Sequence, residues 1–129
     1  MNIPAELKYS RDHEWVKIEG NQATVGITDY AQSQLGDVVF VEVPIADTSL
    51  VVGAGFCVVE SVKAVSDIYA PVGGEIVKIN DALTDTPEII NEDPYGEGWI
   101  AVIKIADQAE LDNLLSSEEY EKFITEEGN

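Results

Sequence analysis

Phe56-Cys57-Val58-Val59-Glu60-Ser61-Val62 and Ser66-Asp67-Ile68-Tyr69-Ala70 are two strand-forming runs with only Lys63-Ala64-Val65 between them. Two such runs joined so briefly predict a β-hairpin with Lys63 at its tip. Pro71 stops the second run because proline cannot continue a central strand. The Asn-Gly or Asp-Gly pair typical of the tightest hairpins is absent, but a type I turn accepts nearly any residue. A lysine there projects into water on a stem stiffened by the β-branched Val58, Val59, Val62 and Val65. Pattern alone gives it a modest role, blunting a sheet edge against aggregation. Gly53 and Gly74 flank the hairpin in sequence and permit close backbone approach at sheet corners.

The same reading extends outward. Glu14-Trp15-Val16-Lys17-Ile18 alternates polar and apolar, as a half-buried strand does. Gly20-Asn21 turns it into Ala23–Ile27, so a second hairpin is expected. Val38–Val43 closes at Pro44, Glu75–Ile79 follows Gly73-Gly74, and Trp99–Ile105 is the last long strand. Many short strands punctuated by Gly and Pro indicate a sandwich or barrel. Three helices are expected around it. Thr28 caps Asp29–Leu35, and Gly36 ends it. Asp107 with Glu110 opens a second, with Leu111, Leu114 and Leu115 on one face. Ser116 with Glu119 opens a third, carrying Tyr120, Phe123 and Ile124. Thr125–Asn129 is expected to fray, and Asn91–Gly98 reads as a loop. Trp15 and Trp99 are expected in the core.

A length of 129 residues predicts one domain, residues 1–129, with its core over about 7–106 and C-terminal helices over 107–126. The apolar share of 45% fits a globular chain. Seven basic residues against 25 acidic ones give a net charge of −18. Such a charge excludes nucleic acid, which needs a cationic face, and anionic membrane surfaces. It favours partners with basic docking sites. The single cysteine, Cys57, permits no internal disulfide and fits a reducing compartment. In an apolar strand it reads as a buried, inert thiol. His13 is the only histidine and has no second ligand at metal spacing, so no metal site is expected. No GxGxxG, phosphate loop, nucleophile elbow or EF-hand pattern occurs. No apolar run approaches the roughly 18 residues of a membrane span. The N-terminus has neither a signal peptide's basic start nor its apolar stretch, which reads as a cytoplasmic chain or a mature form.

Glu60-Ser61-Val62-Lys63-Ala64 resembles the attachment site of lipoyl carrier domains. Asp12–Trp15, Gly26–Gln32, Leu35–Val41, Glu60–Ala70 and Asn91–Trp99 resemble the H proteins of the glycine cleavage system. Only Ala46–Gly55 and the tail match loosely. The resemblance implies a mainly β lipoyl-domain fold, a barrel-sandwich hybrid of two antiparallel sheets with short peripheral and C-terminal helices. It implies a non-catalytic, monomeric carrier with lipoate on the side-chain nitrogen of Lys63. The implied partners are glycine decarboxylase (a pyridoxal-phosphate enzyme), aminomethyltransferase and dihydrolipoyl dehydrogenase, with a lipoate ligase or lipoyl transferase for attachment. The arm takes an aminomethyl group from the first, delivers it to the second and is reoxidised by the third. The compartment implied is a bacterial cytoplasm, or a mitochondrial matrix for a trimmed chain.

Five further residues are assigned to the site on the strength of the resemblance. The loaded arm ends in a cationic amine, and the carboxylates of Glu14 and Asp67 are expected to hold it. With 25 acidic residues, two carboxylates near any point are ordinary. Glu60, with Gly53 and Gly74, is expected to serve recognition by the enzyme that attaches lipoate. Glu60 read without the family is a solvated strand-face glutamate. A biotinyl carrier would place methionines beside the lysine; Val62 and Ala64 stand there instead, and Met1 is the only methionine. A lipoate relay, handing the cofactor to other enzymes, is not separated from glycine cleavage by these residues. No catalytic constellation supports a stand-alone enzyme.

Overall fold

A computed structural model describes residues 1–127. Among these residues nine strands form two sheets. The larger sheet contains β1 (Lys8–Tyr9), β2 (Glu14–Glu19), β3 (Gln22–Ile27), β9 (Ala101–Ile105), β8 (Gly74–Ile79) and β5 (Ser49–Leu50), in that order. The smaller contains β4 (Val38–Glu42), β6 (Gly55–Ser61) and β7 (Val65–Tyr69). All pairings are antiparallel. The expected architecture, two antiparallel sheets with short helices, is the one observed.

The core lies between the sheets. Val16, Val25, Ile27, Ile76 and Ile103 come from the larger sheet, and Val41, Cys57, Val59 and Ile68 from the smaller. Burying each such aliphatic chain stabilises by about 1.5–3 kcal/mol. A second cluster gathers Leu7, Tyr9, Trp15, Leu115, Tyr120 and Ile124, where the C-terminal helix packs.

Helix α1 (Asp29–Leu35) matches its expected bounds: Thr28 Oγ1 accepts from the Ala31 amide, and Gly36 N–H returns to the Gln32 carbonyl. Other elements differ. Strands β1 and β5 are two residues long and exist only through pairing with β2 and β8. Single-turn helices α2 (Ala82–Asp85) and α3 (Ile89–Glu92) lie on either side of Pro87, so Asn91 and Glu92 are helical rather than loop. The helix expected after Asp107 is a 3-10 segment over Gln108–Asn113. It stops there because Leu115 exchanges both backbone hydrogen bonds with Tyr9. Leu111 and Leu114 therefore pack on the main core and Leu115 on the second cluster.

Helix α4 (Ser117–Glu127) has the expected reciprocal cap: Ser116 N–H donates to Glu119 Oε1, and Glu119 N–H to Ser116 Oγ. Thr125–Glu127 continue this helix; Gly128 and Asn129, also expected to fray, lie outside the described residues. Trp15 is buried, but Trp99 is half-buried with the Lys78 ammonium 5.6 Å from its ring centre. Strand β9 starts at Ala101 rather than Trp99, whose carbonyl is taken by the Asn80 side chain.

Candidate functional site

Strands β6 and β7 form the expected hairpin, with Glu60 opposite Val65, Val59 opposite Ser66 and Val58 opposite Asp67. Lys63 is exposed at its tip. The turn is closed by a serine. Ser61 N–H donates to the Ala64 carbonyl at 2.8 Å. Ser61 Oγ accepts from the Lys63 and Ala64 amides at 3.2 and 3.0 Å. A hydroxyl folding back on the following backbone mimics a turn carbonyl, which is why no Asn-Gly pair is needed.

The tip is tied down from outside as well. Val62 N–H donates to the Asp37 carbonyl at 3.0 Å, just after α1. Asn91 clamps that segment: its Oδ1 accepts from Val38 N–H at 2.8 Å, and its Nδ2 donates to the Gly36 carbonyl and Gln32 Oε1, both at 2.9 Å. The Lys63 stem runs over Gly36, where an added Cβ would stand 3.4 Å from Cε. Val39, Phe40, Val62 and Val65, each about half exposed or more, put an apolar collar at this end of the small sheet.

Two cavities border the hairpin. One, of about 310 Å³, is lined by His13, Tyr30, Gln34, Leu35, Ser66 and Ile68, among others. Its wall includes Gln34 and Leu35, the residues just before the Gly36 that the lysine stem covers. The other, of about 330 Å³, includes Glu42, Phe56, Val58 and Asp67. Alternation along β7 sends Ser66 and Ile68 to the first cavity and Asp67 to the second.

Glu14 and Asp67 therefore face different ways. Glu14 is 1% exposed. One carboxylate oxygen accepts from the Ser10 hydroxyl at 2.5 Å and the other from Tyr69 N–H at 3.3 Å. Burial pushes its pKa up to about 7; these two hydrogen bonds pull it back, and the Asp12 charge pushes it further up. Asp67 is exposed on the outer face of the small sheet. Glu60 is half-buried on that face, next to the tip, with Phe40 and Val65 on either side.

Gly53 and Gly74 sit at the opposite end of the hairpin. Gly53 has φ +87° and donates to the Ala70 carbonyl at 2.9 Å, in the turn leading into β6. Gly74 opens β8 so close to the Lys104 carbonyl that no side chain fits. Both act through the backbone. Cys57 is buried, and its thiol is pushed up to about 12, by burial first and then by Glu42. Sequence reasoning missed Ser61 and Asn91. The Ser61 turn had a local signature; the Asn91 bonds to Gly36 and Val38 span more than fifty residues and had none.

Among the described residues, no group of three or more His, Cys, Asp or Glu side chains is placed to hold a metal ion. No helix of those residues is long and apolar enough to cross a membrane. A twice-anchored hairpin presenting one exposed lysine is the architecture a carrier domain needs to offer a side chain to other proteins. A family model described as glycine cleavage H-protein matches residues 7–127. The glycine cleavage system H protein of Herpetosiphon aurantiacus is 56% identical over 128 residues, 99% of this chain and 98% of that protein. That of Carboxydothermus hydrogenoformans is 53% identical over 126 residues, 98% of this chain and 97% of that one. The crystal structure of a glycine cleavage system H protein from Mycobacterium marinum superposes with a TM-score of 0.84 at 36% identity, covering 98% of this chain and all of that one. The chain belongs to the glycine cleavage H-protein family, the lipoyl carriers of that system, and is not itself catalytic.

Proposed function

We propose that lipoate is joined by an amide to Nζ of Lys63, and that the cavity beside α1 receives the distal end of the arm. The observation that carries this is the path of the Lys63 stem over Gly36, next to Leu35 and Gln34 of the cavity wall. The lining fits the group: Ile27, Leu35 and Ile68 suit an apolar ring, and Ser66 and Gln34 supply polar atoms. When bound, lipoate supplies a disulfide that accepts an aminomethyl group on one sulfur and is reduced in doing so.

The residues here do the rest. Acylation removes the ammonium charge of Lys63, so the tip enters a partner's active site without that charge to desolvate. Leu35, Ile27 and Ile68 keep water from the cavity interior. Glu14 and Asp67 hold the amine of the loaded arm. A cation beside Glu14 favours its ionised form and offsets the burial that raises its pKa. Asp67 lines the cavity on the other face of β7, so it meets the amine only when the arm lies over that outer face, and not together with Glu14. Glu60 supports recognition by the lipoate ligase or lipoyl transferase, since it stands on β6 close to the tip. Gly53 and Gly74 serve that recognition by shaping the hairpin's base. Glycine decarboxylase, aminomethyltransferase and dihydrolipoyl dehydrogenase are the partners that the arm visits.

Intact mass and peptide mapping after incubation with lipoate, ATP and an active lipoate ligase test this. A single lipoyl increment on the Lys63 peptide, lost in Lys63→Arg, is expected. An unmodified Lys63 would overturn the proposal.

A further inference from the structure

His13 is a non-glycine residue with φ +69°, in the left-handed region that side chains seldom adopt. Such a conformation persists where its surroundings over-determine it, and it is often found at functional sites. The surroundings here are explicit. His13 N–H donates to the Ser10 carbonyl at 3.2 Å, and its own carbonyl accepts from Thr28 N–H at 3.1 Å. Its ring packs against Tyr30, with centres 4.8 Å apart, and against Phe123 at 5.9 Å. Its Nδ1 lies 2.9 Å from the Tyr120 hydroxyl.

That hydroxyl is the junction. Tyr120, on α4, is fully buried and stacks on Tyr9 at 4.7 Å. Stacking and burial need only a phenyl ring. The hydroxyl must find polar partners in the interior, and it finds His13 and Thr28 Oγ1, the latter at 2.7 Å. Thr28 also caps α1 through Ala31 N–H. One oxygen thus connects the C-terminal helix, the loop ahead of β2 and the start of α1. His13, Tyr30 and Ala31, from that loop and that helix, all line the cavity beside Lys63.

We propose that Tyr120 is a positioning residue: its hydroxyl, bridging His13 and Thr28, holds the His13 and Tyr30 wall of that cavity in place. The importance of this wall to the carrier rests on the cavity being the receptacle of the arm; its geometry does not.

Tyr120→Phe keeps the ring and removes the hydroxyl. Ile124→Val thins the packing of α4 and leaves the hydroxyl, so it reports general loosening. The first readout needs no lipoate. Ser66→Cys places a thiol in the cavity, and buried Cys57 stays silent to a thiol reagent at neutral pH. With Tyr120→Phe added, Ser66→Cys should react about fivefold faster, the scale of one lost hydrogen bond; with Ile124→Val added, the rate should stay unchanged. Equal rates with and without Tyr120→Phe, or an equal acceleration by Ile124→Val, would overturn the proposal. If Tyr120→Phe does not fold, Thr28→Val, which removes the hydroxyl's other partner from outside the cavity lining, is judged by the same criterion.

The second readout uses the lipoylated, loaded carrier. Water takes the aminomethyl carbon to formaldehyde and ammonium and leaves a free thiol. Tyr120→Phe should speed this loss, while kcat for reoxidation by dihydrolipoyl dehydrogenase stays the same. Faster labelling with unchanged loss supports the Tyr120 assignment and overturns the cavity's role as receptacle, so the two failures are distinguishable.

Discussion

The Val62 amide donates to the Asp37 carbonyl at 3.0 Å, so the lysine-bearing turn hangs from the end of α1 as well as from its own strands. A hairpin tip held only by its ladder frays on fast timescales. This tip has a second support, and Asn91 fixes that support through three hydrogen bonds.

Asn91→Ala should therefore loosen the tip at a distance. The Val62 amide should exchange with solvent faster, while Ser61 N–H, bonded within the turn, should change less. Stability should fall by about 1–3 kcal/mol, the usual cost of leaving buried polar partners unpaired. Hydrogen exchange and urea denaturation measure both.

Ser61→Ala removes the hydroxyl that accepts two turn amides. A loss of about 1 kcal/mol is expected. The rate of lipoate attachment should fall because the lysine is no longer presented in one orientation. Ser61→Thr keeps the hydroxyl and should retain most of that rate.

The pKa of Glu14 predicts a pH dependence with a definite sign. It is raised from 4.5 to about 7 in the folded chain. Between those values the folded state binds more protons than the unfolded state, so stability falls as pH rises. The contribution is complete below about pH 4.5 and lost above about pH 7, with a size on the order of 3 kcal/mol. The difference in stability between Glu14→Gln and the unaltered chain should therefore shift in favour of the variant from pH 4.5 to pH 8. Parallel unfolding curves at those two pH values, equally spaced, would remove the assignment.

Loss of the aminomethyl group should be faster in Glu14→Gln and in Asp67→Asn if both carboxylates hold the amine. Two carboxylates that hold one amine share a partner, so the double variant should depart from the product of the two accelerations. Formaldehyde release from the loaded carrier measures each.

A net charge of −18 predicts salt-sensitive docking. KM of the lipoylated carrier for glycine decarboxylase should rise with ionic strength, since screening reaches about 8 Å at physiological salt. Its kcat should change little. A KM that is flat across salt would exclude charge steering for that pair.

Local patterns were legible because they depend only on neighbours along the chain. The period-2 runs on either side of Lys63 settled the hairpin, and Thr28 with Gly36 settled α1. The reciprocal Ser116–Glu119 cap was equally readable. Strands β1 and β5 were not, because two residues carry no period and become strands only through partners found elsewhere in the chain. The Asp107 helix stopped early because Leu115 pairs with Tyr9, a competitor that no local pattern reveals.

The sequence by itself determined that a lysine stands on a stiff β tip in a strongly acidic chain. Those properties follow from residue type and short-range alternation. Only the tertiary structure decided what surrounds that tip. Asn91 reaches Gly36, Glu14 reaches Tyr69, and His13 meets Tyr120 across 107 positions of sequence. Such contacts arise when two sheets and a terminal helix bury their apolar faces together, and burial then obliges each enclosed polar group to take whichever partner the packing brings within reach.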